Sequence, residues 1–369
     1  MPRAPQERMV RMVAALLLLA APPGLRAAPD SIERLGTADF SMVETTPVVW
    51  KGKLLRFESV RGNYGSEPKC PSCGLQKRDP AMVGKSYFRF RDVVTLETTP
   101  SFAPGYSFGC AFVLGDTMWA FGRGPNSTQI GAFSSTDLAT WQHSPAAAQL
   151  DGFGHVASDY TVYNNNVHFG RNGTFVMAIE LGRPSDITGQ PFTTVFMTHP
   201  AGTDLSSGWV FLNPHTHVWP PIKPAHGYEG ACPTIRYIAE DDFYYVLNLH
   251  SESGGYGTCV VRSRDLITWE SSKANPILDF KGKVPADKGA PPRAKSSLYF
   301  KSSLYTNFTS VMEAYIAKAT DINNSDIDFV DFDGNVYVVY SWGNQQGTEF
   351  LGAAVVRNAT ADKWLQSYF

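Results

Sequence analysis

Charge is scarce in this chain of 369 residues. Only 18% of its residues are Asp, Glu, Lys or Arg, and 32 basic against 34 acidic side chains leave a formal net charge of −2. A nucleic-acid binder needs a basic excess to match phosphates, so that partner is not expected. Long apolar runs are missing as well. The one candidate, residues 12–21, is ten residues long, well short of the roughly 20 that span a bilayer, so no membrane span is expected. Helical periodicity is nearly absent. Cysteine is limited to five residues, and Cys70-Pro71-Ser72-Cys73 is a lone CxxC. Zinc would require a second ligand pair nearby, and a redox motif would require a βαβ neighbourhood; neither is present. Cys70 and Cys73 therefore read as a local disulfide in a loop, with no metal. Cys110, Cys232 and Cys259 lie in apolar runs and read as buried free thiols.

Apolar and aromatic residues are plentiful. Hydrophobic residues make up 43% of the chain and aromatics 13%, enough for a large core, which excludes global disorder. Glycine (32) and proline (25) are together enriched over an average near 12%. A protein of many short strands and turns fits this composition better than a helical bundle.

Residues 1–28 read as a signal peptide. Arg3, Arg8 and Arg11 precede the apolar run, Pro22, Pro23 and Gly24 break it, and Ala27 and Ala28 suit cleavage. The expected product is a secreted or lumenal protein with one domain over residues 29–369. Five N-x-S/T sequons, at Asn126, Asn172, Asn307, Asn323 and Asn358, agree with export and would be exposed if glycosylated.

A hairpin grammar recurs five times: an apolar strand, a Gly/Asp/Asn turn and an aromatic-rich strand. The copies lie at residues 46–58, 110–121, 166–179, 233–247 and 327–340. A second element follows several of them. Ser135-Thr136-Asp137-Leu138-Ala139-Thr140-Trp141 matches Ser263-Arg264-Asp265-Leu266-Ile267-Thr268-Trp269, with a looser copy at 203–209 and a degraded one at 91–95. There Asp caps a turn while Leu and Trp pack between sheets. Repeated small sheets arranged radially make a propeller. The expected fold is therefore all-β, a five-bladed β-propeller, with Val48, Phe112, Val167, Ile235 and Phe329 on innermost strands.

The residues preceding each hairpin would ring one mouth of the central channel. They supply Glu44, Phe108, Tyr163, Asn164, Asn165, Tyr228, Glu229, Asp326 and Asp328. Such a ring suits a sugar, which offers hydroxyls to amides and C–H faces to aromatic rings. Glycoside hydrolysis needs two carboxyl groups flanking the scissile bond, one of them kept protonated by an apolar setting. Glu229, beside Tyr228, Gly230 and Ala231 with no cation within three residues, fits the acid. Glu44 and Asp326 are the candidates for the second carboxylate. Asp328 would share a face with Asp326.

At Tyr228-Glu229-Gly230-Ala231-Cys232-Pro233-Thr234-Ile235 the sequence resembles the five-bladed propeller glycoside hydrolases, the group of family-43 arabinanases and xylosidases and family-32 invertases. The resemblance covers roughly residues 40–360. It implies that Glu229 is the general acid and that Ser107-Phe108-Gly109-Cys110-Ala111 contacts substrate. Asn324-Ser325-Asp326-Ile327-Asp328, continuing to Tyr340-Ser341-Trp342-Gly343-Asn344, resembles the last blade. Two departures stand out. Thr46 occupies the place of the group's first-blade Asp, and Asn164-Asn165-Asn166 that of its third-blade Asp. A secreted hydrolase would then use Glu229 with Glu44 or Asp326. The alternative is a non-catalytic carbohydrate-binding propeller that keeps Tyr228, Asn164 and Trp342 as its surface. A sialidase is disfavoured: the Asp-box glycine is missing and no three arginines cluster in these segments. No cofactor is expected.

Overall fold

The computed structural model describes residues 32–40, 42, 44–62, 79–125, 128–149, 161–182, 192–212, 229–252, 255–280, 282–285, 314, 316, 319–344 and 348–369. The first strand is β1 (Glu33–Phe40). A first antiparallel module contains β2 (Thr45–Trp50), β3 (Lys53–Val60) and β4 (Tyr87–Asp92); a second contains β5 (Ser107–Leu114), β6 (Thr117–Arg123), β7 (Gln129–Ser135) and β8 (Gln142–Gln149). The third comprises β9 (Thr161–Phe169), β10 (Phe175–Gly182), β11 (Phe192–His199) and β12 (Val210–Phe211); the fourth, β13 (Glu229–Ile238), β14 (Phe243–Glu252), β15 (Gly255–Ser263) and β16 (Glu270–Ser271). A short ribbon pairs β17 (Gly282–Pro285) with β18 (Thr320–Asp321). The last module has β19 (Asn323–Phe332), β20 (Asn335–Asn344) and β21 (Thr348–Val356), and β1 returns to pair with β21. Helix α1 (Ala361–Gln366) follows.

The first strands of the modules pack side by side in a closed circuit, β2 to β5 to β9 to β13 to β19 and back to β2. The architecture is a β-propeller. Val48, Phe112, Val167, Ile235 and Phe329 all lie on this inner circuit. Tight turns produce the hairpins. Lys51 and Gly52 (φ 50° and 74°), and again Asp333 and Gly334 (51° and 73°), are left-handed pairs between directly opposed residues, the turn whose twist matches that of the strands it joins.

The Asp-centred element recurs as a built part. Asp137 Oδ1 accepts from the amides of Ala139 and Thr140, Asp265 Oδ1 from Ile267 and Thr268, and Asp92 Oδ1 from Val94 and Thr95. The tryptophans that follow reach back to the preceding module. Trp141 stacks on Phe102 with centroids 3.8 Å apart, Trp269 stacks on Phe196, and Trp209 meets Phe121 edge-on. The role of these motifs is to bond module to module.

Between the first and last modules the contact is ionic. Glu58 is fully buried and accepts from Arg56, from Arg89 Nε at 2.6 Å and from Arg91 Nε at 2.9 Å, while Arg56 also reaches Asp39 of β1 at 2.8 Å. Burial works against the Glu58 charge, but the three guanidinium groups outweigh it and hold the carboxyl well below its ordinary range.

Candidate functional site

Four of the five inner strands are distorted as they leave the mouth. Glu44, Phe108, Cys232 and Asp326 have φ of 52°, 53°, 50° and 48°. The ladder register breaks beside three of them, between Ser107 and Cys110, Ala231 and Thr234, and Ser325 and Asp328. A non-glycine residue in this region costs about 1–3 kcal/mol, and a bulge re-aims the side chain it carries. Together the bulges gather Glu44, Thr46, Gly109, Asn164, Asn165, Asn166, Cys232, Asp326 and Asp328 around one narrow axial pocket of about 30 Å³.

The carboxylates differ in their partners. Glu44 is buried, and both of its oxygens face Arg61. Asp328 is 3% exposed, and it accepts from Arg236, from Asn166 Nδ2 at 3.1 Å and from the Phe329 amide at 2.8 Å. Burial raises its pKa; Arg236 and the hydrogen bonds oppose the shift. Asp326 is half-buried and accepts from Ser325 Oγ at 2.8 Å and Asn164 Nδ2 at 3.1 Å. Among the described residues it forms no ion pair, so of the three it is the one open to a ligand.

A fourth carboxyl was not singled out from the sequence. Glu180, on β10 directly behind Asn164, is 4% exposed; its Oε2 accepts from Asn164 Nδ2 at 3.1 Å and from the Cys232 amide at 2.9 Å. Burial pushes its pKa up to about 7 and the Asp326 charge adds to this, against the hydrogen bonds from Cys232 and Asn164. The Cys232 thiol hydrogen-bonds Asp326 in turn and, buried first and then faced by Asp326 and Glu180, is held well above the ordinary thiol range. Cys232, Asp326, Asn164 and Glu180 thus form a closed hydrogen-bonded cycle. An acid inside the apolar run Met177-Ala178-Ile179-Glu180-Leu181 was the available signal.

Aromatic side chains form one rim of the mouth. Phe108 and Tyr163 meet edge-on at 5.3 Å, and Arg123 and Arg61 place their guanidinium carbons 4.5 and 5.1 Å from the Phe108 centroid. Gly182 is required here: a Cβ on it would lie 2.4 Å from the Tyr163 ring. Asn165 braces the rim from below, donating to Phe108 O at 2.7 Å and accepting from Cys110 Sγ.

Other sequence-predicted residues lie elsewhere. Trp342 is fully buried, donates Nε1–H to Thr37 Oγ1 at 3.1 Å and stacks on Phe350. It holds β1 to the last module and, contrary to expectation, offers no surface to a sugar. The Asn323 sequon is likewise at 0% exposure, because its strand lies between modules; an exposed glycosylation site there is corrected. Cys232 is half-buried and lines the mouth, where a fully buried thiol was expected. The backbone of Glu229 opens β13 opposite His250, three residues before Cys232; its side chain lies outside the description. Tyr228, Cys70, Cys73 and residues 1–28 lie outside the described residues. Among those described, no three His, Cys, Asp or Glu side chains converge to hold a metal ion, and no helix is long and apolar enough to cross a membrane.

No family model matches the sequence, and no curated protein matches it. Solved structures do match the fold. The BT0996 RGII complex is similar with a TM-score of 0.52 and 12% identity, over 90% of this chain and 93% of that one. A structure described as a glycoside hydrolase gives 0.51 at 12% identity over the same shares, 90% and 93%. An endo-1,4-β-xylanase from Bacteroides thetaiotaomicron gives 0.50 at 10% identity, over 87% and 97%. The fold is that of the propeller glycoside hydrolases. At these identities the likeness concerns architecture, and chemistry rests on the side chains of this chain.

Proposed function

We propose that this protein is a secreted glycoside hydrolase that cleaves a glycosidic bond at the axial mouth. The observation that supports it is Asp326. It is an acid on a strained bulge, turned to the axis, held by neutral hydrogen-bond donors and free of any cation among the described residues. A carboxylate in that state serves as the base that activates water or as the nucleophile at the anomeric carbon. Glu229, at the start of the neighbouring inner strand, supplies the proton to the leaving oxygen. Glu44 and Asp328, each committed to an arginine, shape the pocket and its field. Asn164, Asn165 and Thr46 offer hydrogen bonds to sugar hydroxyls, and Phe108 and Tyr163 offer ring faces and edges.

The test is a panel of glycosides with good and poor leaving groups. Glu229→Gln should lower turnover of poor-leaving-group substrates by about 10²–10⁴-fold and leave activated substrates much less affected. Asp326→Asn should lower both. Unchanged turnover in Asp326→Asn would remove it from the mechanism.

A second reading has its own observation. The axial pocket is only about 30 Å³, and arginines occupy two of its acids. A propeller that binds saccharides without cleaving them would retain the same rim. Wild-type protein that binds oligosaccharides but turns over none of the panel would favour it.

A further inference from the structure

We propose that the saccharide taken at this mouth is anionic, bearing a uronate carboxylate or a sulfate ester that Arg123 receives above the Phe108–Tyr163 platform. The inference rests on the carbohydrate reading above and narrows it to a substrate class.

Arg123 stands opposite Ser107, where β5 leaves the mouth. Its guanidinium carbon lies 4.5 Å from the Phe108 centroid and 5.8 Å from that of Tyr163. Among the described residues two hydrogen bonds hold it, both to neutral acceptors and both long: Nη1 to Val162 O at 3.2 Å and Nη2 to Ser107 Oγ at 3.3 Å. A guanidinium has five N–H donors, so most of this one is uncommitted. Among the described residues no carboxylate pairs with it.

Its surroundings disfavour the bare cation. Burial lowers its pKa and the charge of nearby Arg61 lowers it further, with only Tyr163 acting the other way. Two other described arginines near the axis each have an acid: Arg61 has Glu44 and Arg236 has Asp328. A half-buried cation without a counter-ion is costly, and a two-oxygen anion that brings bidentate charge-assisted bonds relieves that cost. The Phe108 ring packs against the guanidinium carbon, a contact that leaves the N–H donors available to a ligand. The platform is continuous with the candidate reaction centre. Tyr163 precedes Asn164 in β9, and Phe108 O is held by Asn165 at 2.7 Å. A sugar engaged by Arg123 therefore occupies or adjoins the axial mouth.

A purely structural Arg123, a strut from β6 to Val162, predicts no charge preference, and this separates the two roles. Calorimetric titrations would compare oligogalacturonides with their methyl esters, and sulfated oligosaccharides with their desulfated forms. The wild type should bind the acidic member of one pair about 10–100-fold more tightly, the range for a hydrogen-bonded charge pair, and the preference should shrink as salt is added. Which pair shows it identifies the carboxylate or the sulfate. In Arg123→Gln the ratio of acidic to neutral affinity should fall to near one; in Arg123→Lys it should stay above one. The ratio is independent of how much of each variant is folded. Equal binding within both pairs by the wild type overturns the inference and leaves the carbohydrate reading intact. So does a preference that survives Arg123→Gln. Failure to bind any saccharide, charged or neutral, overturns both.

Discussion

Glu180 and Asp326 accept hydrogen bonds from the same nitrogen, Asn164 Nδ2, each at 3.1 Å. One amide thus separates two carboxyls from different modules, and Glu180 also holds the amide of Cys232. The pairing places a carboxyl behind the position where the sequence shows only asparagine. It couples the strand that carries Asp326 to the strand that begins at Glu229.

A stability profile should reveal Glu180. Its ordinary pKa is 4.5, and in the fold it is pushed up to about 7. Between those values the folded chain holds a proton that the unfolded chain has lost, so stability falls as pH rises through that window. The loss is on the order of 3 kcal/mol for a shift of this size. Glu180→Gln keeps an acceptor for Asn164 and Cys232 but cannot ionise. Urea unfolding from pH 4.5 to 8 should show the variant gaining on the wild type as pH increases. Parallel profiles would show that Glu180 does not titrate in this range.

Glu58 is the opposite case, a buried charge the fold depends on. Glu58→Gln keeps one acceptor oxygen but removes the negative charge that Arg56, Arg89 and Arg91 share. Breaking one partner of a buried ionic network typically costs about 3–5 kcal/mol. Denaturant midpoints should fall accordingly, while a change at exposed Arg264, whose partner is the partly exposed Asp242, should leave them nearly unmoved.

The propeller was legible because its hairpins are local. Lys51-Gly52 and Asp333-Gly334 announce their turns, and Asp137 and Asp265 announce their caps, within a few residues. Closure was not legible. β1 contains Gly36 and Asp39, pairs irregularly, and finds β21 more than 300 positions away. The candidate site was legible as a set of positions that converge, since Glu44, Asn164, Asp326 and Asp328 line one pocket at the axis. Their differences were not, because they are set by Arg61, Arg236 and Glu180, which arrive from other strands. Trp342 misled because its strand, β20, lies between β19 and β21 and is buried on both faces, so the indole packs on Thr37 and Phe350.

Export makes a prediction that the structure sharpens. Asn172 and Asn358 are exposed, each in a left-handed turn, whereas Asn323 is at 0% exposure on β19. If the chain enters a eukaryotic secretory pathway, Asn172 and Asn358 should be glycosylated and Asn323 bare. Peptide mapping before and after glycosidase treatment reads each site. A glycan on Asn323 would contradict the placement of β19.

The roles of the two candidate bases separate by chemical rescue. Asp326→Ala opens space at the axis where the lost carboxylate stood, and among the described residues it removes no arginine's partner. Added formate or azide should enter that space and restore part of the lost turnover on an activated substrate. Glu44→Ala differs, because it takes away a carboxylate that Arg61 faces beside Phe108. An added anion in the space beside Arg61 would not replace a group acting on the anomeric carbon. Rescue in Asp326→Ala alone assigns the second carboxylate to Asp326. Rescue confined to Glu44→Ala would reverse that assignment, and the Arg61 pair would then have to open when substrate arrives.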